Sequence, residues 1–576
     1  MIRARRLPLL ELGAVLLVVA ANVFTAWGAV VPLYWQDEAG YLGASQVLAG
    51  VGEAPSLSGR PYSIGFALLI APLWWIVDSG REVYLGAIAV STACGVLTVL
   101  PLAAIARRLG LRRPWAVPAA AAIALAPART IASDFATPEN LLTLLVALLL
   151  LAGLRYRARP SAGRAALLGA LAAAAFVVHG RAVPLLIATA LWMLWELRRH
   201  PRAALAGLAS SIGLAAAGFA LYRAVVAQLY VSASSREDSG IARLLGADPH
   251  AVLLSGLGQL WYLVFAWIGL TVLGAIPLLA RLRRELAVRR PGIAVWGALA
   301  LLGTAVVSVT YIADAIRRDV GRIDIYSYGR YLDPVVVPLA LLGLVLVLRG
   351  ASRRRIAAAI VATAATALAW FALVWPQLPS TGNQHWFPIN IMGTLQFPWR
   401  GTTWLPAAPW LYMSAAVLAA LVVVLLLRRR PAVLLAMLMA VMLASTAIAE
   451  LRIVRPFFSG WNGSYSLAQR ILDDPRLEGQ ALAFDTEGLR EERDSASRNA
   501  FQVLLAPRAV EVFDSSEAPP PAELVLARET WPEGERLGAV RIDLDEGVFD
   551  TGLWVLPGPL LERLEATGRE DAQGGR

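Results

Sequence analysis

The sequence predicts an α-helical polytopic membrane protein carrying a small α/β domain at its C-terminal end. Three observations lead there. Of 576 residues, 58% are hydrophobic and only 16% charged, whereas a soluble domain is about half apolar and about a quarter charged. The apolar residues fall in blocks of about 20, the length that crosses roughly 30 Å of hydrocarbon. The blocks stop near Glu450, where charge density rises and short strand-like runs begin. The net charge of +11 does not point to nucleic acid, because the basic residues come in short bursts between apolar blocks rather than in one stripe. The chain has no lysine, so all 52 of these positions are arginine. Its one cysteine, Cys94, lies within an apolar block. An internal disulfide or a cysteine metal cluster is therefore excluded.

The basic residues at 1–6 precede an apolar run over 9–31, which is longer than a signal-peptide core and reads as an uncleaved first span. Basic residues are retained on the cytoplasmic side of membrane proteins. Arginine bursts at 3–6, 107–113, 155–164, 198–202, 281–290, 349–355 and 428–430 thus mark cytoplasmic segments. Between neighbouring bursts there is room for an outward and a return crossing. The result is about 13 spans: 9–31, 83–106, 115–132, 140–154, 165–178, 182–197, 203–226, 259–280, 292–311, 334–348, 357–375, 409–427 and 432–449. Such a protein sits in the plasma membrane with its N-terminus in the cytoplasm and its C-terminal domain outside. The stretch 61–77, PYSIGFALLIAPLWWIV, has only a short apolar core between Pro61 and Pro72 and reads as a half-buried or interfacial helix.

The long segments then face outward: 32–82, 227–258, 312–333, 376–408 and 450–576. Loops held by a rigid scaffold commonly carry function, so chemistry is expected on that side. Two domains follow, a membrane domain over 1–449 and an extracytoplasmic α/β domain over 450–576. The latter shows strand-like runs at 481–485, 510–513, 523–527 and 553–556 and a helical stretch at 491–505.

Five outward segments carry candidate chemistry. Asp37 and Glu38 fall in the first turn of an expected helix over 36–50. A helix N-terminus favours negative charge, which keeps an acid ionised and able to accept a proton; the plain alternative is that Asp37 is an N-cap. In SDFATPENLL, Asp134 and Glu139 flank a proline before an apolar block, and Glu139 fits either a site or a helix cap. In VVHGRAVPLL, His179 and Arg181 sit between two apolar blocks. A charge at that depth is functional by default, or it snorkels to headgroups. In DAIRRDVGRIDIYSYGRYLDPVVVP, Arg330 and Tyr331 stand just before a span. Arginine presents a planar fork of donors suited to phosphate, while Asp314, Asp319, Asp324 and Asp333 offer ordinary ion-pair partners. The loop 376–408 is rich in Trp, Phe, Pro and Asn, fit for sugar contacts or for interface anchoring. Its His385 is a candidate acceptor or metal contact.

In order along the chain, these pieces resemble the GT-C superfamily of integral-membrane glycosyltransferases, the group of protein mannosyltransferases, aminoarabinose transferases and arabinofuranosyltransferases. The resemblance rests on QDEAGYLGAS after the first span, GRPYSIGFALLIAPLWWIV with Arg60, SDFATPENLLTLL, HGRAVPLL and YGRYLDPVVVP, and covers roughly the first 340 residues. It implies a polyprenyl-phosphate-linked sugar donor and an extracytoplasmic acceptor: cell-wall glycan, lipid or protein. Arg330 and Arg181 would neutralise the donor phosphate. Asp37 would take the acceptor proton in a single inverting displacement, and Glu38 would orient the acceptor or bind a cation. Arg60, Asp134, Glu139, His179, Tyr331 and His385 complete the expected substrate contacts. No DxD stands in the first outer loop, so neither a metal nor another cofactor is expected. A transporter or flippase of a lipid-linked glycan is the alternative. It too would carry arginine at lipid-phosphate depth, but would more often show an internal repeat and broken helices at mid-membrane.

Overall fold

The computed structural model describes residues 2–230, 246–318, 320–379, 386–397, 408–459, 462–487, 491–542 and 551–574. Among them, eight helices are long and apolar enough to cross a membrane. They are Leu9–Ala26, Gly80–Arg108, Glu139–Ala158, Pro201–Leu229, Ile293–Arg317, Arg353–Gln377, Ala408–Leu427 and Pro431–Ser459. Two bent pairs bring the number to 10 if each is one span. Three further stretches expected to cross are shorter helices, Ala162–Val178, Val183–Glu196 and Asp333–Leu348.

Both bends have local causes. Arg113–Ala124 and Pro127–Asp134 meet at 71°. Proline disfavours the helical region for the residue before it, and Ala126 is extended with ψ 139. Pro249–Phe265 and Leu270–Ala287 meet at 102°, so the span expected over 259–280 straddles a sharp break. Ile268 and Gly269 there have φ of 49 and 69. Glycine takes that region readily, while a β-branched residue does so under strain. The freed backbone is re-bonded: the Gly269 N–H donates to the Val264 carbonyl at 2.8 Å and the Thr271 hydroxyl to the Leu263 carbonyl at 2.7 Å.

The chain forms two compact units, each built from separated pieces: 1–28, 88–219 and 237–455 in one, 29–87, 220–236 and 456–576 in the other. The first unit is the larger helical scaffold. Small residues let its helices approach, as is usual within membranes. A Cβ on Gly274 would run into the Leu339 carbonyl, and one on Gly343 into the Leu270 carbonyl. One core joins Leu149, Tyr156, Leu168, Ala172, Trp192 and Trp296. At the arginine-rich turn near 290, the buried Glu285 carboxylate accepts the N–H groups of Gly292, Ala294 and Val295 at 3.0–3.1 Å. It so caps the next helix with the donors that a helix start leaves unsatisfied.

The second unit holds a five-stranded mixed sheet: β1 (Leu482–Asp485), β2 (Glu511–Phe513), β3 (Leu524–Arg528), β4 (Val540–Ile542) and β5 (Thr551–Val555), in the order β2-β1-β3-β5-β4. β1 is parallel to β2 and β3, while β5 is antiparallel to β3 and β4. The helix Glu491–Leu504 makes the crossover from β1 to β2. Strand β4, only three residues of VRI, is absent from the sequence reading because so short an alternation carries little signal. The same unit contains the helix Trp35–Ala49 and, in place of a span over 61–77, the short helices Gly65–Ile70 and Ala71–Trp75.

Candidate active site

In the helical unit, two arginines far apart in sequence meet on one carboxylate. Glu139 is the first residue of Glu139–Ala158, behind Pro138. Its Oε1 accepts from Arg181 Nη2 at 2.9 Å and from Arg330 Nε at 2.7 Å. Glu139 is 1% exposed, Arg181 5% and Arg330 6%. Two guanidinium groups thus share one carboxylate oxygen out of water. Among the described residues, Arg181 Nε and Nη1 are buried without a hydrogen-bond acceptor. Buried guanidinium donors gathered at one point suit an anion. Glu139 is thus more than a helix cap, and Arg181 does not snorkel.

Arg181 owes its place to a short break between helices. His179 ends Ala162–Val178 with extended backbone, and its Nδ1 accepts the Arg181 N–H at 3.2 Å. The guanidinium carbon then lies 4.6 Å from the centre of the Tyr331 ring. Tyr331 also meets Tyr328 edge-on at 5.0 Å, Tyr311 at 5.4 Å and His179 at 6.1 Å. Burial pushes the Tyr328 hydroxyl well above its usual pKa, so it remains a neutral donor at physiological pH.

Arg330 is held by the segment around Asn390. The Asn390 carbonyl accepts from the N–H groups of Gly329 at 2.9 Å and Arg330 at 3.3 Å. Its Nδ2 donates to Asp324 at 2.7 Å. A Cβ on Gly329 would enter the Tyr262 ring. The Tyr262 hydroxyl donates to the buried Asp333 at 2.8 Å and accepts the Gly393 N–H at 3.0 Å. Two of the nearby aspartates pair with other arginines: Asp314 with Arg317 and Arg318, and Asp324 with Arg322; Asp319 lies outside the described residues. Arg330 is the one aimed at Glu139. Sequence reading passed over Asn390, Tyr262 and the buried Arg129, whose guanidinium hydrogen-bonds the Asn140 side chain. Asp134 is fully buried at the end of the turn Ile131–Asp134. His385 lies outside the described residues.

In the other unit, Asp37 and Glu38 share the first turn of Trp35–Ala49. Their environments differ sharply. Glu38 is fully buried, and its Oε2 accepts the N–H groups of Leu33 and Tyr34 at 2.7 and 2.8 Å. It braces the start of the helix. Asp37 is half-buried and is not the N-cap, which is Tyr34. Its Oδ1 accepts from the Tyr62 hydroxyl at 2.5 Å. A Cβ on Gly40, one turn along, would collide with Tyr62 and approach the Tyr230 hydroxyl to 2.9 Å. Tyr62 stands 5.5 Å from Tyr41, ring to ring. Arg60, also half-buried, precedes Tyr62 by two residues. This is an acid in an aromatic wall, fixed at one oxygen.

Residues 66–222 match the family model described as dolichyl-phosphate-mannose-protein mannosyltransferase. That stretch includes Glu139 and Arg181 but neither Asp37 nor Arg330. A comparison with curated proteins found no match. Among solved structures the chain is similar to ArnT from Cupriavidus metallidurans in the apo state, at 16% identity and TM-score 0.50, over 94% of this chain and 97% of that one. It is likewise similar to ArnT bound to undecaprenyl phosphate, at 15% identity and TM-score 0.51, over 95% and 98%. The arabinosyltransferase EmbB from Mycobacterium smegmatis matches at 18% identity and TM-score 0.42, over 82% of this chain and 44% of that one. The likeness to GT-C membrane glycosyltransferases read from the motifs therefore holds at two levels, a family model over 66–222 and an ArnT-like fold along nearly the whole chain.

Proposed function

We propose that this protein transfers a sugar from a polyprenyl-phosphate donor to an acceptor hydroxyl on the extracytoplasmic side. The observation that carries the reading is the pair of buried arginines that converge on the Glu139 carboxylate. Arg181 and Arg330 bind the donor phosphate and stabilise the charge that builds on it as it leaves, the usual role of preorganised donors. His179 and Tyr331 hold Arg181, and Asp37 is the general base. The acceptor oxygen attacks the anomeric carbon and its proton passes to Asp37. The bond from that carbon to the phosphate oxygen breaks, and polyprenyl phosphate departs with the electron pair. A single displacement inverts the anomeric centre. Glu38 holds the turn on which Asp37 stands, and Arg60 and Asp134 complete the donor contacts. ArnT, which this chain resembles in fold, has been solved with undecaprenyl phosphate bound; that supports the lipid-phosphate half of the reading. With the bent pairs and the three shorter helices crossing as well, the arginine bursts put the N-terminus inside and the C-terminal domain outside.

The test is product formation in detergent from a radiolabelled polyprenyl-phosphate sugar, comparing wild type with Asp37→Asn. The proposal expects the variant to be slower by about 10²- to 10⁴-fold. Equal rates remove Asp37 as the base. Movement of the intact lipid-linked sugar across vesicles, with no transfer from any donor, would favour a flippase instead.

A further inference from the structure

The sheet domain of residues 456–576 supplies no group to the transfer as proposed. Its longest well-packed helix, Glu491–Leu504, is turned instead toward the segment that carries Asp37. Asn499, 1% exposed, makes two bonds to a single residue: its Oδ1 accepts the Ser58 N–H at 3.0 Å and its Nδ2 donates to the Ser58 carbonyl at 3.1 Å. Gln502 lies three residues on, on the same helix face. Its Oε1 accepts the Ser56 N–H at 3.2 Å and its Nε2 donates to the Val510 carbonyl at 2.7 Å. The segment 56–58 is thus held as a neighbouring strand would hold it. Between these two anchors, the Leu57 N–H donates to the Leu229 carbonyl at 2.9 Å.

Both ends of the Asp37 segment are fixed to the same domain. At the front, Trp35 is buried in one apolar core with Leu467, Ile471, Phe484, Phe501 and Leu526. At the back, the Gly80 N–H donates to the Ala506 carbonyl at 2.8 Å, and a Cβ on Gly80 would run into the Val503 carbonyl. Trp35 opens the helix, and Asp37 follows two residues later in the same turn. An amide side chain suits such a clamp, since it both donates and accepts without adding a charge.

We infer that the C-terminal domain is the positioning element of the general base, with Trp35, Asn499 and Gln502 as positioning residues for Asp37. The inference rests on Asp37 being the base. It gives the domain a function in the transfer without any contact to substrate.

The test is a double-variant cycle on the full-length protein in detergent, with a polyprenyl-phosphate sugar as donor. Asn499→Ala lowers kcat by about 10- to 100-fold, as misplacement of a reacting group by around 1 Å does. KM for the donor and affinity for undecaprenyl phosphate stay within about twofold of wild type. Because Asn499 acts through Asp37, Asn499→Ala combined with Asp37→Asn is no slower than Asp37→Asn alone, within about twofold. Should Asn499→Ala fail to fold, Gln502→Ala, which frees the Ser56 N–H and the Val510 carbonyl, is read in the same cycle. Independent, multiplying losses on a slow Asp37→Asn background would overturn the positioning role and leave the base in place. An Asp37→Asn enzyme as fast as wild type would instead remove the base, and this inference with it.

Discussion

The two units treat their carboxylates in opposite ways. In the helical unit Glu139 is buried, faces two guanidinium groups and has no role for a proton. In the other unit Asp37 is half-buried and accepts from the Tyr62 hydroxyl. A carboxylate held between arginines is a poor base, because its negative charge is already satisfied. Within Trp35–Ala49 the contrast repeats at the scale of one residue: Glu38 spends Oε2 on two backbone N–H groups, while its neighbour is left nearer the surface. What separates a structural acid from a reactive one is the partner each is given.

Arg330→Ala gives the largest expected effect on this contrast. It removes half of the phosphate receptor, so transfer falls by about 10²- to 10³-fold and affinity for undecaprenyl phosphate falls with it. Arg330→Lys recovers only part of either, since lysine lacks the planar fork. A variant that loses rate while binding the lipid phosphate normally would break the assignment of the two units to separate tasks.

Glu139→Ala comes next, measured by thermal or denaturant unfolding. Removing one partner of a buried ion pair costs about 3–5 kcal/mol, here with two cations left facing each other. Gly329→Ala follows: the added methyl meets the Tyr262 ring and costs about 1–3 kcal/mol through overpacking. Donor affinity drops as Arg330 shifts, while turnover at saturating donor changes less.

Glu38→Gln tests the other unit. It weakens two charge-assisted bonds at the helix start, worth about 1–3 kcal/mol between them. The expected reading is a lower kcat with unchanged affinity for undecaprenyl phosphate. The smallest effect is at Asp474, where the Arg476 guanidinium holds the carboxyl below the usual carboxylate range. The contribution is present at neutral pH and is lost as pH falls through the lowered pKa. Asp474→Asn changes stability by about 0–1 kcal/mol, as for other surface pairs.

Much of this was legible in the sequence, and unevenly so. Apolar block length and arginine bursts gave the helices, since both are set by the bilayer rather than by partners. The Trp35–Ala49 helix and four of the five strands were visible in local pattern. The Glu139, Arg181 and Arg330 cluster was visible as three unusual charges, although their pairing was not: sequence offered Asp314, Asp324 and Asp333 as nearer partners for Arg330. Distance along the chain says little about which buried charges meet. Asn390, Tyr262, Asn499 and Gln502 left no signal at all. Each is an ordinary polar residue whose importance lies in a backbone group of another segment, and no spacing rule records that. The break at Ile268 and Gly269 was hidden inside a continuous apolar run.

The shared carboxylate of Glu139 has a consequence for the cycle as a whole. Under the proposed transfer, Glu139 acts between turnovers as a resident counter-ion that keeps both guanidinium groups facing the same point. An arriving phosphate meets a receptor already assembled, and a departing one leaves no pair of bare cations behind. The same carboxylate repels the spent lipid's second negative charge, so the receptor is biased toward letting its product go.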